Sequence, residues 1–367
     1  RFQRTNILNG KSTGQFPAVA LMKKEMTRKI IVINGENHDF SFKILLKEFN
    51  HVIIIQNICL FLREWRIKML IENLTNYCDM NYRQKCLNEN CGYCNTSCSH
   101  PTVCPQDCEQ CLEQIHFPSR HPNGRLDYTC NNVLNFYVCK YFHKYASEIE
   151  YALHSINSLP YKDTFNILSL GCGASPDLAA FENYLSKNNF CIPVNYLGID
   201  INPLWNDKHN FIKDYFKSTS YNPEYICTDV FEIFKDHYTV DKNLLILQYL
   251  ISHFYNTGKL TAVNEFYKNL IQNVIKRMQP KSIIIINDVN SNRRGRDLFL
   301  RFSDTLSKYG IRHTYSCRYF EYNIQNEYQR YGIKYPSKDI LTWPTPNLAR
   351  YNPWTVCSSA QLIIELE

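Results

Sequence analysis

Between residues 165 and 309, short apolar runs alternate with amphipathic stretches. FNILSL (165–170), VNYLGID (194–200), YICTDV (225–230), LLILQYL (244–250) and SIIIINDV (282–289) read as strands. Helical spacing fills 176–187, about 207–217, 259–278 and 296–309. Such alternation predicts a mostly parallel sheet with helices on both faces. IRHTYSCRYFEY (311–322) and AQLIIELE (360–367) have no helical pattern between them. They are expected to pair antiparallel at the sheet edge.

The first part of the chain reads differently. KIIVIN (29–34) and DFSFKILL (39–46) flank an Asn-Gly turn signal, so a hairpin is expected there. Helical periodicity follows to about residue 76. Pro101, Pro105, Pro118 and Pro122 then mark loops. From 131 the spacing predicts one long helix, with Asn131 or Asn132 as its cap. Its Val133, Phe136, Tyr137, Tyr141 and Tyr145 share a face, read as core packing rather than a platform for bases. VIIIQNICLFL (52–62) is too short to span a bilayer and runs into Arg63, Glu64 and Arg66. No membrane association is expected. The start, RFQRTNILNGKSTG, lacks an apolar signal region. Residues 1–25 are expected to be flexible or extraneous, with Met22 or Met26 as the natural start. The expected division is a helical, Cys-rich domain over 26–160 and a sheet domain over 161–367.

Glycine is scarce in the chain (12 of 367 residues), so Gly171 and Gly173 in NILSLGCGASPD stand out. A loop between a first strand and a helix lies where open parallel sheets bind ligands. Glycines let the backbone approach a ligand, and the following helix offers free N–H groups. The third glycine of a dinucleotide fingerprint is replaced by Pro176, which disfavours a pyrophosphate site, and no P-loop sequence follows. Asp200 ends the second strand, where a carboxylate can accept both hydroxyls of a ribose. Asp229 ends the third, where it can accept from an adenine amino group.

Taken together, residues 165–367 resemble a class I S-adenosylmethionine (SAM)-dependent methyltransferase. ILSLGCGASPD resembles the family's first motif, YLGIDINP the second, YICTDV the third, and NLLILQYLISHFY the fourth strand with its short helix. The resemblance implies a class I methyltransferase-like α/β fold that binds SAM. It implies cofactor contacts from Gly171, Cys172, Gly173, Ala174, Asp200, Ile201, Asp229, Val230 and Gln248. The chain departs from the pattern at Ser169, Pro176 and Asn243, where the family usually has an acid, a glycine and an aspartate. It also lacks the Asn/Asp-Pro-Pro-Tyr/Phe sequence that goes with methylation of exocyclic amino groups.

Methyl transfer asks for in-line positioning and, for some acceptors, a base. His253, just past the fourth strand, and Tyr249, near its end, are the catalytic candidates. The competing reading of His253 is a packed residue at a helix start. Asp288, beside Asn287 and Asn290, is a further candidate at the mouth. Arg293, Arg294 and Arg296 in NSNRRGRD form the most basic short stretch. It reads equally as a phosphate contact or as a solvated loop.

Sixteen cysteines are present, nine of them between 78 and 130. With no secretion signal, a reducing, cytoplasmic compartment and metal-bound thiolates are expected. Cys91-x2-Cys94 and Cys108-x2-Cys111 have the spacing of zinc knuckles. Cys78, Cys86, Cys91, Cys94, Cys98, Cys104, Cys108 and Cys111 are the candidate ligands for one or two zinc ions. The spacing of CPQDCEQC also fits an iron–sulfur cluster, which the surplus of cysteines and the glycine-loop sheet disfavour.

The net charge of +7 permits a polyanionic partner without demanding one. The expected function is a SAM-dependent methyltransferase acting on nucleic acid, RNA before DNA, at a position other than an exocyclic amino group. The alternatives are a small-molecule or protein methyltransferase, and an inactive adaptor of the same fold. Through its zinc domain the chain could also hold a protein partner.

Overall fold

The computed structural model describes residues 69–82, 108–121, 127–128, 130–232, 241–291, 296–321 and 332–367. Helices α1 (Leu70–Asn81), α2 (Cys108–His116) and α3 (Asn131–His154) precede the sheet. Then follow β1 (Phe165–Leu170), α4 (Pro176–Lys187), β2 (Val194–Asp200), α5 (Asn206–Phe216) and β3 (Tyr221–Cys227). Next are β4 (Leu244–Gln248), α6 (Leu250–Asn256), α7 (Val263–Asn273), β5 (Ile283–Val289) and α8 (Phe299–Lys308). The chain closes with β6 (His313–Tyr319), β7 (Ile333–Lys334) and β8 (Ser359–Leu366).

These strands form one sheet of order β3-β2-β1-β4-β5-β8-β6-β7. Strands β1 to β5 pair in parallel. β8 runs antiparallel between β5 and β6. This is the expected α/β architecture, a mostly parallel sheet with an antiparallel pair toward one end. The short β7, parallel to β6, forms the outermost edge and was not expected.

The apolar runs of β4 and β5 are continuous because both faces of these central strands are covered. Ile167, Ile246 and Ile285 face a core built with α1 to α5. Leu168, Leu245 and Ile284 face the opposite core, with α6, α7 and α8. α3 is buried on nearly all sides, so its lysines and glutamates lie inside and must be paired. Helices α1 to α3 share one compact unit with the sheet, and the division expected at residue 160 falls inside that unit.

Several boundaries differ from expectation. α1 runs to Asn81 rather than about 76. Cys130, not an asparagine side chain, occupies the cap position of α3. β3 spans 221–227 instead of 225–230. Pro223 is tolerated there because β3 is an edge strand. β4 stops at Gln248, because Tyr249 adopts a left-handed conformation (φ 55°) that starts α6. The helix expected over 259–278 is α7 flanked by 3-10 turns. The hairpin of 29–46 and the helical run before residue 69 lie outside the described residues. Among the described residues no helix is long and apolar enough to cross a membrane.

Candidate active site

The carboxyl ends of β1, β2 and β4 open on one cavity of about 830 Å³. It is lined by Gly171, Gly173, Asp200, Ile201, Asp229, Val230, Gln248, Tyr249 and His253, all singled out from the sequence. Cys172 and Ala174 are buried and do not reach the wall, although the resemblance implied that they would. The Cys172 Sγ lies 3.9 Å from His209 Nε2, inside the fold.

The loop after β1 is held by its own backbone. Gly171 and Cys172 donate to the carbonyl of Ile199 at 2.8 and 3.0 Å. Gly171 has φ +68°, and a Cβ there would stand 3.0 Å from Leu250 Cδ1. Gly198 on β2 lets Tyr225 approach, since a Cβ would meet that ring at 2.7 Å. Tyr225 stacks on His209 at 3.8 Å, and His209 Nε2 hydrogen-bonds the Gly173 carbonyl at 2.7 Å. Gly171→Ala is therefore expected to cost about 1–2 kcal/mol for the left-handed backbone alone. Urea unfolding checks this, and an unchanged midpoint would show that the loop relaxes freely.

Asp200 closes the loop from the second strand. Its Oδ2 accepts from Gly173 N and its Oδ1 from Asn202 N, each at 2.9 Å. Burial pushes its carboxyl above the usual range, and the two N–H groups oppose that push. Each oxygen keeps a lone pair for another donor. Asp229 lies two residues beyond the end of β3, in the turn. Its Oδ1 accepts from Phe231 N at 3.0 Å. Gln248 donates through Nε2 to the Tyr145 carbonyl at 2.8 Å, whereas its Oε1 is buried without a partner.

The acceptor side is built by α3, α6 and the segment before β8. Tyr145 is buried and Tyr137 and Tyr141 pack against the core as expected, yet all three also line the cavity, while Val133 and Phe136 lie wholly inside. Tyr141 and Tyr145 stack at 5.6 Å with 12° between their planes. Trp354, tied by its backbone N–H to the Lys140 carbonyl at 2.9 Å, adds a further ring. Lys144 sits among them. Its Nζ donates to Tyr249 Oη at 2.6 Å and lies 3.3 Å from Glu148 Oε1. Glu148 also accepts from Tyr249 Oη, Asn287 Nδ2 and the N–H groups of Ser358 and Ser359. Lys144, Glu148, Trp354 and Tyr128 were not identified from the sequence as site residues.

This network changes the reading of Tyr249. Its hydroxyl is committed to Lys144 and Glu148, and burial raises its pKa well above the usual phenol, so it positions rather than exchanges protons. His253 is half-buried on α6, and burial lowers its pKa below the ordinary imidazole value. Its ring makes no hydrogen bond to the described residues. His116 also lines the cavity, but its Nε2 is bonded to Tyr128 Oη at 2.9 Å, and burial pushes it down to about 4.

Other candidates prove structural. Asp288 Oδ2 accepts from Ile251 N and Ser252 N, capping the helix that carries His253. Burial pushes its carboxyl up to about 6. Asn243 bonds Asn166 N and the Thr164 carbonyl at the opposite end of the sheet. Near Ser169, Asp177 accepts from Tyr196 Oη at 3.0 Å and braces the first turn of α4 from beneath. Arg293, Arg294 and the side chain of Arg296 lie outside the described residues.

Of the expected metal ligands, Cys86, Cys91, Cys94, Cys98 and Cys104 also lie outside them. Cys78 is buried on α1 among the apolar residues Leu70, Ile71 and Leu74. Cys108 and Cys111 occupy the first turn of α2 rather than a knuckle. That helix packs Cys111, Leu112 and Ile115 inward. Among the described residues no group of three or more metal-ligating side chains converges.

No known family profile and no curated protein matches the chain. Solved structures that overlap it include a precorrin-6y C5,15-methyltransferase of Geobacter metallireducens GS-15. That pair shares 14% identity over 60% of this chain and 88% of that one, with a TM-score of 0.34. The plantazolicin methyltransferase BpumL in complex with SAH shares 14% identity over 71% and 95%, with a TM-score of 0.39. An rRNA methylase of Streptococcus thermophilus shares 11% over 61% and 93%, with a TM-score of 0.30.

Proposed function

We propose that the chain is a SAM-dependent methyltransferase. One observation carries the reading: Gly171, Gly173, Asp200 and Asp229, from three successive strand ends, face the same cavity. The residues fit the cofactor. The remaining lone pairs of Asp200 suit two ribose hydroxyls, and Asp229 suits an adenine amino group. The orphaned Gln248 Oε1 suits an ammonium such as that of the methionine part. When bound, SAM supplies a methyl group on a positively charged sulfur.

The chain's own residues do the rest. The glycine loop and Asp200 fix the orientation, α3 and α6 exclude water, and His253 takes the acceptor's proton. Since burial lowers the His253 pKa, the neutral, proton-accepting form prevails at neutral pH. Activity is therefore expected to rise with pH through a pKa below about 6.5 and to level off above it. The pH profile of kcat/KM checks this. His253→Gln should flatten the acid limb, and an unchanged limb would remove His253 from the reaction.

An RNA acceptor rests on the basic balance and on the tyrosine wall, and zinc in the Cys-rich stretch rests on cysteine spacing alone. Transfer of labelled methyl from SAM to total RNA, or to a small-molecule extract, tests the enzyme reading and separates the acceptor types. Label in neither fraction, with the cofactor bound, would favour the adaptor.

A further inference from the structure

We infer that the aromatic end of the cavity binds a planar ring carrying an acidic oxygen, and that Lys144 holds that oxygen. The role rests on the methyltransferase reading only for what is then done to the ring.

Lys144 carries three N–H donors on a side chain 6% exposed. The bond to Tyr249 Oη is its one hydrogen bond among the described residues. Its Nζ lies 4.8 Å from the ring centres of Tyr145 and Tyr249 and 5.5 Å from that of Trp354. With one donor on Tyr249 Oη and Glu148 Oε1 at 3.3 Å, one donor of this nearly buried cation is left, among the described residues, toward a wall of aromatic faces. A donor left over in such a place calls for an acceptor. The parallel rings of Tyr141 and Tyr145 offer flat faces for a planar partner.

The occupant's charge follows from what lies behind the lysine. Glu148 is fully buried with no surface on the cavity, and its four other donors hold it in place. It orients Lys144 and balances it. The pair carries no net charge to meet a phosphate dianion, but the remaining N–H suits a single phenolate- or enolate-like oxygen. Two sources supply this chemistry: a free phenolic or hydroxylated heteroaromatic molecule, and a nucleobase turned out of an RNA strand.

The test uses the full chain and 4-nitrophenol, whose neutral and ionised forms absorb differently. Bound probe should ionise about one pKa unit below its free value, because a cation beside the oxygen favours the anion. Lys144→Met alone would strand Glu148 and risk unfolding. The double variant Lys144→Met/Glu148→Gln keeps the interior neutral. It should weaken probe binding about tenfold and abolish the shift. Lys144→Arg should keep the shift, which a merely structural role would not require. Probe bound with its free pKa, or a shift that survives the double variant, would overturn the inference. Calorimetry with S-adenosylhomocysteine (SAH) separates the two readings. SAH bound without a probe shift sinks this inference alone, and a Lys144-dependent shift without SAH binding sinks the cofactor reading alone. Displacement of the probe by a single-stranded oligouridylate would identify RNA as the source of the ring. Failure to displace would assign a free molecule.

Discussion

Replacing Glu148 with alanine is expected to lower the unfolding free energy by about 3–5 kcal/mol. Glu148 is fully buried on α3 and gathers donors from Tyr249 just before α6, from β5, from β8 and from Ser358 just before β8. Asn287 in turn receives Ser359 Oγ and Gln361 Nε2 at 2.6 and 2.8 Å, and Gln361 also bonds the Glu148 carbonyl. Removing the carboxylate leaves the Lys144 ammonium buried without its counter-charge and strands several donors at once. A buried network broken at its hub costs more than the sum of its hydrogen bonds implies. Glu148→Gln keeps the shape and most acceptor geometry, so its cost should be distinctly smaller. Urea unfolding of both variants reads the difference. A change below about 1 kcal/mol for the alanine variant would show that Lys144 reaches water or another anion.

Asp200→Ala is expected to weaken SAH binding by a hundredfold or more. That is about 3 kcal/mol, the worth of one or two hydrogen bonds to a charged group. The loss has two parts. The carboxylate directly offers acceptors to the ribose, and indirectly it holds Gly173 N and Asn202 N in the loop. The sheet itself should survive, because Asp200 sits at the end of β2 and the core around Ile199 is untouched. Thermal unfolding without ligand should move little beside the change in affinity.

Much of this architecture is legible in the residues because its signals are local. β1, α4 and β2 begin and end where the apolar runs and Pro176 say they should. Asp200 follows from a strand end and a turn. The strand carrying Tyr225 is harder to bound, because Pro223 reads as a break unless the strand is known to lie at the edge. The tyrosines of α3 show a limit of another kind. Spacing of 137, 141 and 145 says that one face is covered, but not whether protein or ligand covers it. Lys144 and Glu148, one turn apart, look like an ordinary solvated pair. Only the burial of α3 on nearly all sides turns them into a site. Trp354 arrives from more than two hundred residues away, and no local pattern announces it. Asn243, one of the departures from the family's pattern, lies at the far end of the sheet from the cavity.

The most direct test of the central claim is calorimetric titration of SAH into the intact protein, beside Asp200→Ala. The account predicts binding to a single site in the micromolar range or tighter, lost in the variant while its fold persists. A folded intact protein that takes up no SAH would contradict it.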